Sequence, residues 1–379
     1  MIPQKLTEIK DFFKKELHMN KARIECLMAA IVSAIEAKSI LLADIADRIE
    51  GETTDYHKIQ RLQRFFREVR LDHRQIALFI LKLAGIDPKT PMIIALDRTN
   101  WTTRENERNI LTLSVCTGDT GIPIFWKDLR CEGNSNTKER IDIMRQFTSF
   151  FGTEQIKCLV CDREFTGKNW FAWLKTHNVP FVIRLKKNLI IKTNGQKTAI
   201  KHFFQDLPNG GFLNLDIQHV CGVDLYICGF RTEKGDLIIL GSHGIFGMEA
   251  ANMYLRRWNI ETGFSQLKTR GFKLQSSRLC GEGKMELLLS ILAIAMAFCY
   301  SCGKMSESIV PIKILSHGRK SQSIFRRGLH VVYSWLADRN CKWCPLYSRI
   351  DALLSDSLAF VASVFPAGAL QNPVFRRCG

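Results

Sequence analysis

The run LLLSILAIAMAFCYSC, Leu287 to Cys302, constrains the fold of this 379-residue chain more than any other stretch. A helix with apolar side chains all round its circumference has no face to show water, so protein or lipid must enclose it. The run falls short of the roughly 20 residues a bilayer span requires, and Lys284 and Glu286 sit at its edge. It therefore reads as a buried core helix that other elements must surround. With 46% hydrophobic residues, the chain is globular and long enough for two or three domains.

The amino-terminal MIPQKLTEIKDFFKKEL has no apolar signal core, which points to a cytoplasmic protein. Thirteen scattered cysteines, an odd number, fit reduced thiols better than a disulfide framework. Cys158 and Cys161 lie in an apparent strand, where an odd offset sends their thiols to opposite faces. Cys299 and Cys302, with Cys341 and Cys344, could form a four-cysteine zinc site. The gap between the pairs is longer than usual for zinc, and Cys299 reads equally as core.

The net charge of +17, with a pI near 9.4, suits a polyanionic partner: nucleic acid first, an anionic membrane surface second. Residues 1–88 read as helical, with apolar residues at helical spacing and almost no glycine. In HKIQRLQRFFREV, Ile59, Leu62, Phe66 and Val69 form one stripe, and Lys58, Arg61, Arg64 and Arg67 fall elsewhere. That helix has either a solvated basic face or a DNA-binding one.

After IDPKTP the periodicity changes. MIIALD, NILTLSVCT and GIPIFWKDL read as strands, TKERIDIMRQFTSFF as a helix, KCLVCD as a strand, KNWFAWLKTHN as a helix and FVIRL as a fifth strand. Such an order predicts one mixed sheet with helices packed on it, an α/β core over 89–188. LIIKTN, FLNLDIQHV, VDLYICGFRTE and GDLIILGSHG predict a β-rich antiparallel insertion over 189–247. Helical pattern resumes at Met248, carrying the core on through 248–303, and 304–379 form a helical tail with eleven Lys/Arg against four Asp/Glu.

Two apolar strands stop at carboxylates, Asp97 and Asp162. Either acid alone could cap a turn. At neighbouring strand ends they would instead form a close pair that needs a cation, and hard divalent ions prefer oxygen ligands. In YLRRWNIETGFSQLKTRGFKL, 100° per residue places Tyr254, Arg257, Glu261 and Lys268 within about 60° of one another. Beside them runs an apolar stripe of Met253, Ile260, Phe264 and Leu267. An i,i+4 ion pair of Arg257 with Glu261 is the plain reading of part of this arc. It does not account for Tyr254 and Lys268, nor for the two aspartates.

The spacing Tyr254, Arg257, Glu261, Lys268 resembles the Y-R-E-K signature of bacterial insertion-sequence transposases of the DDE class. LDRTNW (from Leu96) and DREF (from Asp162) look like that group's two aspartate motifs, and GRKSQSIFRRGL (from Gly318) resembles its tail motif. The resemblance covers most of 90–330. It implies an RNase H-like core, interrupted by a β-rich insertion within the 99 positions from Asp162 to Glu261.

It also implies that Asp97, Asp162 and Glu261 hold two Mg²⁺ ions about 4 Å apart, with Mn²⁺ able to substitute, for phosphoryl transfer on DNA. Tyr254, Arg257 and Lys268 would grip phosphates near the cleaved bond. Trp258 would stack on a base or fill core. Lys186, Lys187, Arg319, Lys320, Arg326 and Arg327 would touch the DNA backbone or remain solvated. The implied partners are terminal inverted repeats, target DNA and, because two ends are joined, a second copy of the chain. A repressor without catalysis and an RNase H-like nuclease without strand transfer are the competing functions.

Overall fold

Two of the amino-terminal helices begin where a side-chain oxygen receives their first amide protons. Asn20 caps α1 (Lys21–Ala37) through the Arg23 amide, and Asp72 caps α4 (His73–Leu83) through those of Arg74 and Gln75. Between them lie α2 (Leu42–Arg48) and α3 (Asp55–Glu68). This is a computed structural model; it describes residues 19–337 apart from 50, 103–106, 130–131, 194–195, 280, 317 and 319. α3 buries Leu62, Phe65 and Phe66, with Val69 just beyond, so Phe65 widens the expected stripe, while Arg61, Arg64 and Arg67 are exposed.

β1 (Met92–Thr102), β2 (Glu107–Cys116) and β3 (Gly121–Asp128) form an antiparallel meander. Next come α5 (Thr137–Phe151), β4 (Ile156–Cys161), α6 (Lys168–Thr176) and β5 (Phe181–Arg184). β4 runs parallel to both β1 and β5. The element order matches the sequence expectation, and α5 starts at a capping box between Asn136 and Glu139.

β6 (Ile190–Thr193) and β7 (Gln196–Ala199) make a separate hairpin, of which only the first strand was expected. β8 (Phe212–Val220), β9 (Val223–Arg231) and β10 (Leu237–His243) are antiparallel, yet they extend the central sheet. The eight strands run β3-β2-β1-β4-β5-β10-β9-β8. The physical reason lies in β5, whose four residues include three fully buried ones; left as an edge, they would present unpaired amides, and β10 pairs them.

Alternation along the strands fills two cores. Leu96, Leu159, Cys161 and Ile183 join the larger one; Ala95, Cys158, Val160, Val182 and Leu240 join the other, together with Tyr254. Cys158 and Cys161 thus face opposite ways, as their offset predicts.

The apolar run lies within α9 (Glu282–Ile309), which is longer than the run itself. By length and composition α9 could cross a membrane, but 83% of its most apolar window is buried inside the fold. α1, α4, β3 and α10 (Ile324–Ala337) pack around it. A Cβ on Gly328 of α10 would collide with the Cys299 carbonyl oxygen, so only glycine permits this helix crossing. Cys299 and Cys302 are core residues of α9, and burial pushes the Cys302 thiol up to about 12. The other half of the suggested zinc site, Cys341 and Cys344, lies outside the described residues.

Candidate active site

The parallel ladder between β1 and β4 ends at Leu96 and Cys161, which are paired. Asp97 and Asp162 are the next residue on each strand, so the register itself sets them side by side. Asp97 is not at the end of its strand, as the sequence suggests: β1 continues to Thr102 against β2, because β2 is long enough to pair with it and β4 is not. Asp162 opens a short 3-10 turn, Arg163–Phe165.

The segment read as one helix from Met248 is three pieces. α7 (Gly247–Leu255) and α8 (Trp258–Ser265) meet at a tight turn, where the Arg257 amide bonds to the Tyr254 carbonyl at 2.9 Å. A π turn, Gln266–Arg270, follows. The tight turn overwinds the path and the π turn unwinds it, so the shared arc survives. Tyr254 reaches Asp162, and Lys268 reaches the carbonyl of Asn100, three residues along β1 from Asp97.

α8 lies close against the sheet because two glycines meet there. A Cβ on Gly121 would stand 2.9 Å from the Ile260 Cα, and one on Gly263 would collide with the Gly121 oxygen. Asn259 donates to the Thr117 carbonyl at 2.5 Å, and Thr120 donates to buried Gln266 at 2.9 Å. These bonds tie α8 and the π turn to the β2–β3 connection.

Arg257 is the centre of the site. Only 5% exposed, it places Nη1 2.6 Å from Glu261 Oε1 and 3.7 Å from Asp97 Oδ2. Its buried Nε has no hydrogen-bond partner. Asp162 accepts from the Tyr254 hydroxyl at 3.3 Å and lies 3.7 Å from Arg184 Nη1. Among the described residues, no three acidic, histidine or cysteine side chains converge on one ion-sized point. The guanidinium stands between Asp97 and Glu261 instead.

Burial raises Asp97 from 3.8 to about 7; the Arg98 amide and Arg257 oppose the shift, and Glu164 and Asp162 add to it. Burial likewise takes the Tyr254 hydroxyl to about 12, so Tyr254 is a hydrogen-bond donor at neutral pH. For Arg257, burial alone would lower the value, but Tyr254, Glu261 and Asp162 outweigh it and hold the charge firmly on. A carboxyl raised by folding gives stability that is complete below pH 4 and lost as pH rises through 7. Asp97→Asn is therefore expected to melt higher than the parent at about pH 8 in chelator, with the advantage fading as pH falls towards 4; thermal melts across that range check it.

The remaining candidates are more dispersed. Trp258, 57% exposed, is no core residue; it sits at a helix start facing outward, with the Arg257 guanidinium 5.3 Å from its ring. Lys186 and Lys187 are exposed just beyond β5, and Arg326 is exposed on α10. Lys320 pairs with Glu307, and Arg327 donates to the Val310 carbonyl at 3.1 Å. Arg319 lies outside the described residues. Arg184 was missed, although its signal was present: FVIRL carries a charge one register step past Ile183, the partner of Cys161. Arg98 and Glu164, inside the two aspartate motifs, were also passed over.

A family model described as a transposase DDE domain matches residues 88–298, more than half the chain. The chain belongs to the DDE transposase family. The match runs from just before β1 well into α9, and so includes Asp97, Asp162, Glu261 and the whole sheet. The mixed eight-stranded sheet flanked by helices agrees with the RNase H-like DDE fold expected from the sequence. DDE domains use divalent metal. No curated protein matches the chain.

Proposed function

We propose that this DDE transposase serves an insertion sequence: it binds the element's terminal inverted repeats, cleaves the DNA at their ends and joins those ends to a target. The observation that carries this reading is that one segment brings Tyr254 to Asp162 and Arg257 to Asp97, with Glu261 paired to Arg257, at the end of a parallel ladder. A repressor would have no need of a buried guanidinium paired with two carboxylates and left with a spare donor. A simple RNase H-like nuclease would have no need of the cationic arc.

The donor set fits a divalent ion. Asp97, Asp162 and Glu261 offer hard oxygen ligands, and the raised Asp97 carboxyl marks a desolvated position where added positive charge is favoured. These residues would hold Mg²⁺, or Mn²⁺ in its place. Bound there, the ions supply activation of a water or DNA 3′-hydroxyl and stabilisation of the leaving oxygen.

The chain's own residues do the rest. Arg257 has an unused Nε and is positioned to turn from the carboxylates to a phosphate oxygen once another cation takes its place. Tyr254 holds Asp162 and donates from a hydroxyl that stays protonated. Arg184 and Lys268 flank the two strands with further positive charge. Trp258 offers an exposed ring for base stacking.

Residues 1–88 would grip DNA through α3, the basic region 304–379 would add backbone contacts, and a homodimer would hold the two ends. We assign the core to 89–188 and 248–303 and the insertion to 189–247. Arg64→Ala with Arg67→Ala is expected to weaken DNA binding and lower the slope of log K against log salt by about 0.9 for each phosphate that is no longer neutralised. Binding isotherms at several salt concentrations measure it, and an unchanged slope removes α3 from the interface.

Purified protein, Mg²⁺ and labelled inverted-repeat DNA test the function as a whole. Nicking followed by joining to a target is expected. Binding without nicking would favour a repressor, and nicking without joining a plain nuclease.

A further inference from the structure

The last ladder pair of β1 and β4 is Leu96 with Cys161, so Asp97 and Asp162 stand one step past the paired stretch. Side chains next to each aspartate carry the connection onward. Arg98 Nε lies 2.7 Å from Glu164 Oε1, and its Nη2 lies 2.8 Å from Oε2, a two-pronged contact between β1 and the turn that follows Asp162. The other guanidinium hydrogens go to Asn109 Oδ1 at 3.0 Å, the Gly133 carbonyl, and Asn134 Oδ1 at 2.9 Å. All five N–H donors of Arg98 are thereby used, on three separate segments. The Arg98 amide also donates to Asp97 Oδ1 at 2.8 Å.

The turn is braced from its other side as well. Arg140, only 5% exposed, donates to the Glu164 carbonyl at 3.2 Å and stacks 4.9 Å above the Phe165 ring. Arg98 and Arg257 are thus in contrasting states. Arg98 is saturated and fixed, whereas Arg257 has a donor to spare.

We propose that Arg98 and Glu164 are a positioning pair that sets the spacing of Asp97 and Asp162 and keeps the Arg98 charge off both carboxylates. This rests on the reading that those aspartates hold divalent ions. Without Glu164, the Arg98 guanidinium loses its carboxylate partner beside Asp97 and Asp162, so its charge would compete with an ion there. With Arg98→Lys the charge remains but the fork that fits both Glu164 oxygens is gone.

The test is Mn²⁺ binding to the full chain, read from the electron paramagnetic resonance of free Mn²⁺, with circular dichroism confirming the fold at the same temperature. Glu164→Ala and Arg98→Lys are each expected to weaken Mn²⁺ binding at least about tenfold. Glu164→Gln, which keeps one acceptor oxygen, is expected to fall between Glu164→Ala and the parent. A pair that merely held the turn would lower the melting temperature and leave the ion affinity of the folded chain alone. Should Glu164→Ala fail to fold, Arg98→Lys and Glu164→Gln decide the matter. Affinity within twofold of the parent in the folded variants, while Asp97→Asn abolishes binding, overturns the positioning role alone. A parent chain that binds no Mn²⁺ overturns both that role and the metal reading.

Discussion

Glu261→Gln is expected to leave the chain folded and bound to its DNA ends, while cleavage falls by about 100- to 1,000-fold or more, the scale of losing preorganised charge in an active site. The substitution keeps shape and removes one negative charge from a side chain that is 38% exposed. α8 is held by Asn259, Gln266 and the close approach of Gly121 to Gly263, none of which involves Glu261, so its position should not change. Single-turnover cleavage of labelled ends, alongside a mobility-shift measurement of binding, separates the two effects. Cleavage within tenfold of the parent would remove Glu261 from the ion-binding set.

Arg257→Met should produce the largest change in stability. In chelator, the variant leaves Asp97 and Glu261 without their guanidinium. A fully buried ion pair broken on one side costs about 3–5 kcal/mol, and the partial exposure of Glu261 reduces that to about 2–3 kcal/mol here. Divalent ions are expected to restore most of that stability, because an ion binding the same carboxylates stabilises the folded state by mass action. In the parent the ion must displace Arg257, so Mn²⁺ should raise the melting temperature less than it does in the variant. Urea melts with and without Mn²⁺ check both points. An equal ion effect in parent and variant would show that Arg257 does not share the ion's position.

Much of this architecture could be read in the residues. Strand alternation gave the two faces of Cys158 and Cys161, and the capped, amphipathic segments gave the helices around the sheet. The apolar run gave α9 because a uniformly apolar helix has few alternatives. The arc of Tyr254, Arg257, Glu261 and Lys268 was visible from helical spacing, although the chain there kinks and then widens. A periodicity count assumes one helix type throughout, and Gln266 reaching for Thr120 is a tertiary pull that the count does not contain.

Other features depend on partners distant in sequence. Whether Asp97 ends a strand depends on the lengths of β2 and β4, not on the residues near Asp97. That β10 continues the sheet beyond β5 is a choice of pairing, to which short β-type runs are indifferent. Trp258 reads as bulk for a core until the tight turn at Arg257 rotates it outwards. Arg98 and Glu164 are separated by 66 positions, and only the fold shows that they are paired.

α9 touches the amino-terminal helices, the catalytic sheet and the tail helix at once. The proposed boundaries near residues 88 and 303 therefore do not mark off independently folding pieces. Cutting at 88 would strip a wall from α9, and 303 lies within α9 itself, so either cut would expose an apolar surface prone to aggregation. A movement of the amino-terminal helices on DNA would pass through α9 to the sheet as through a shared axle.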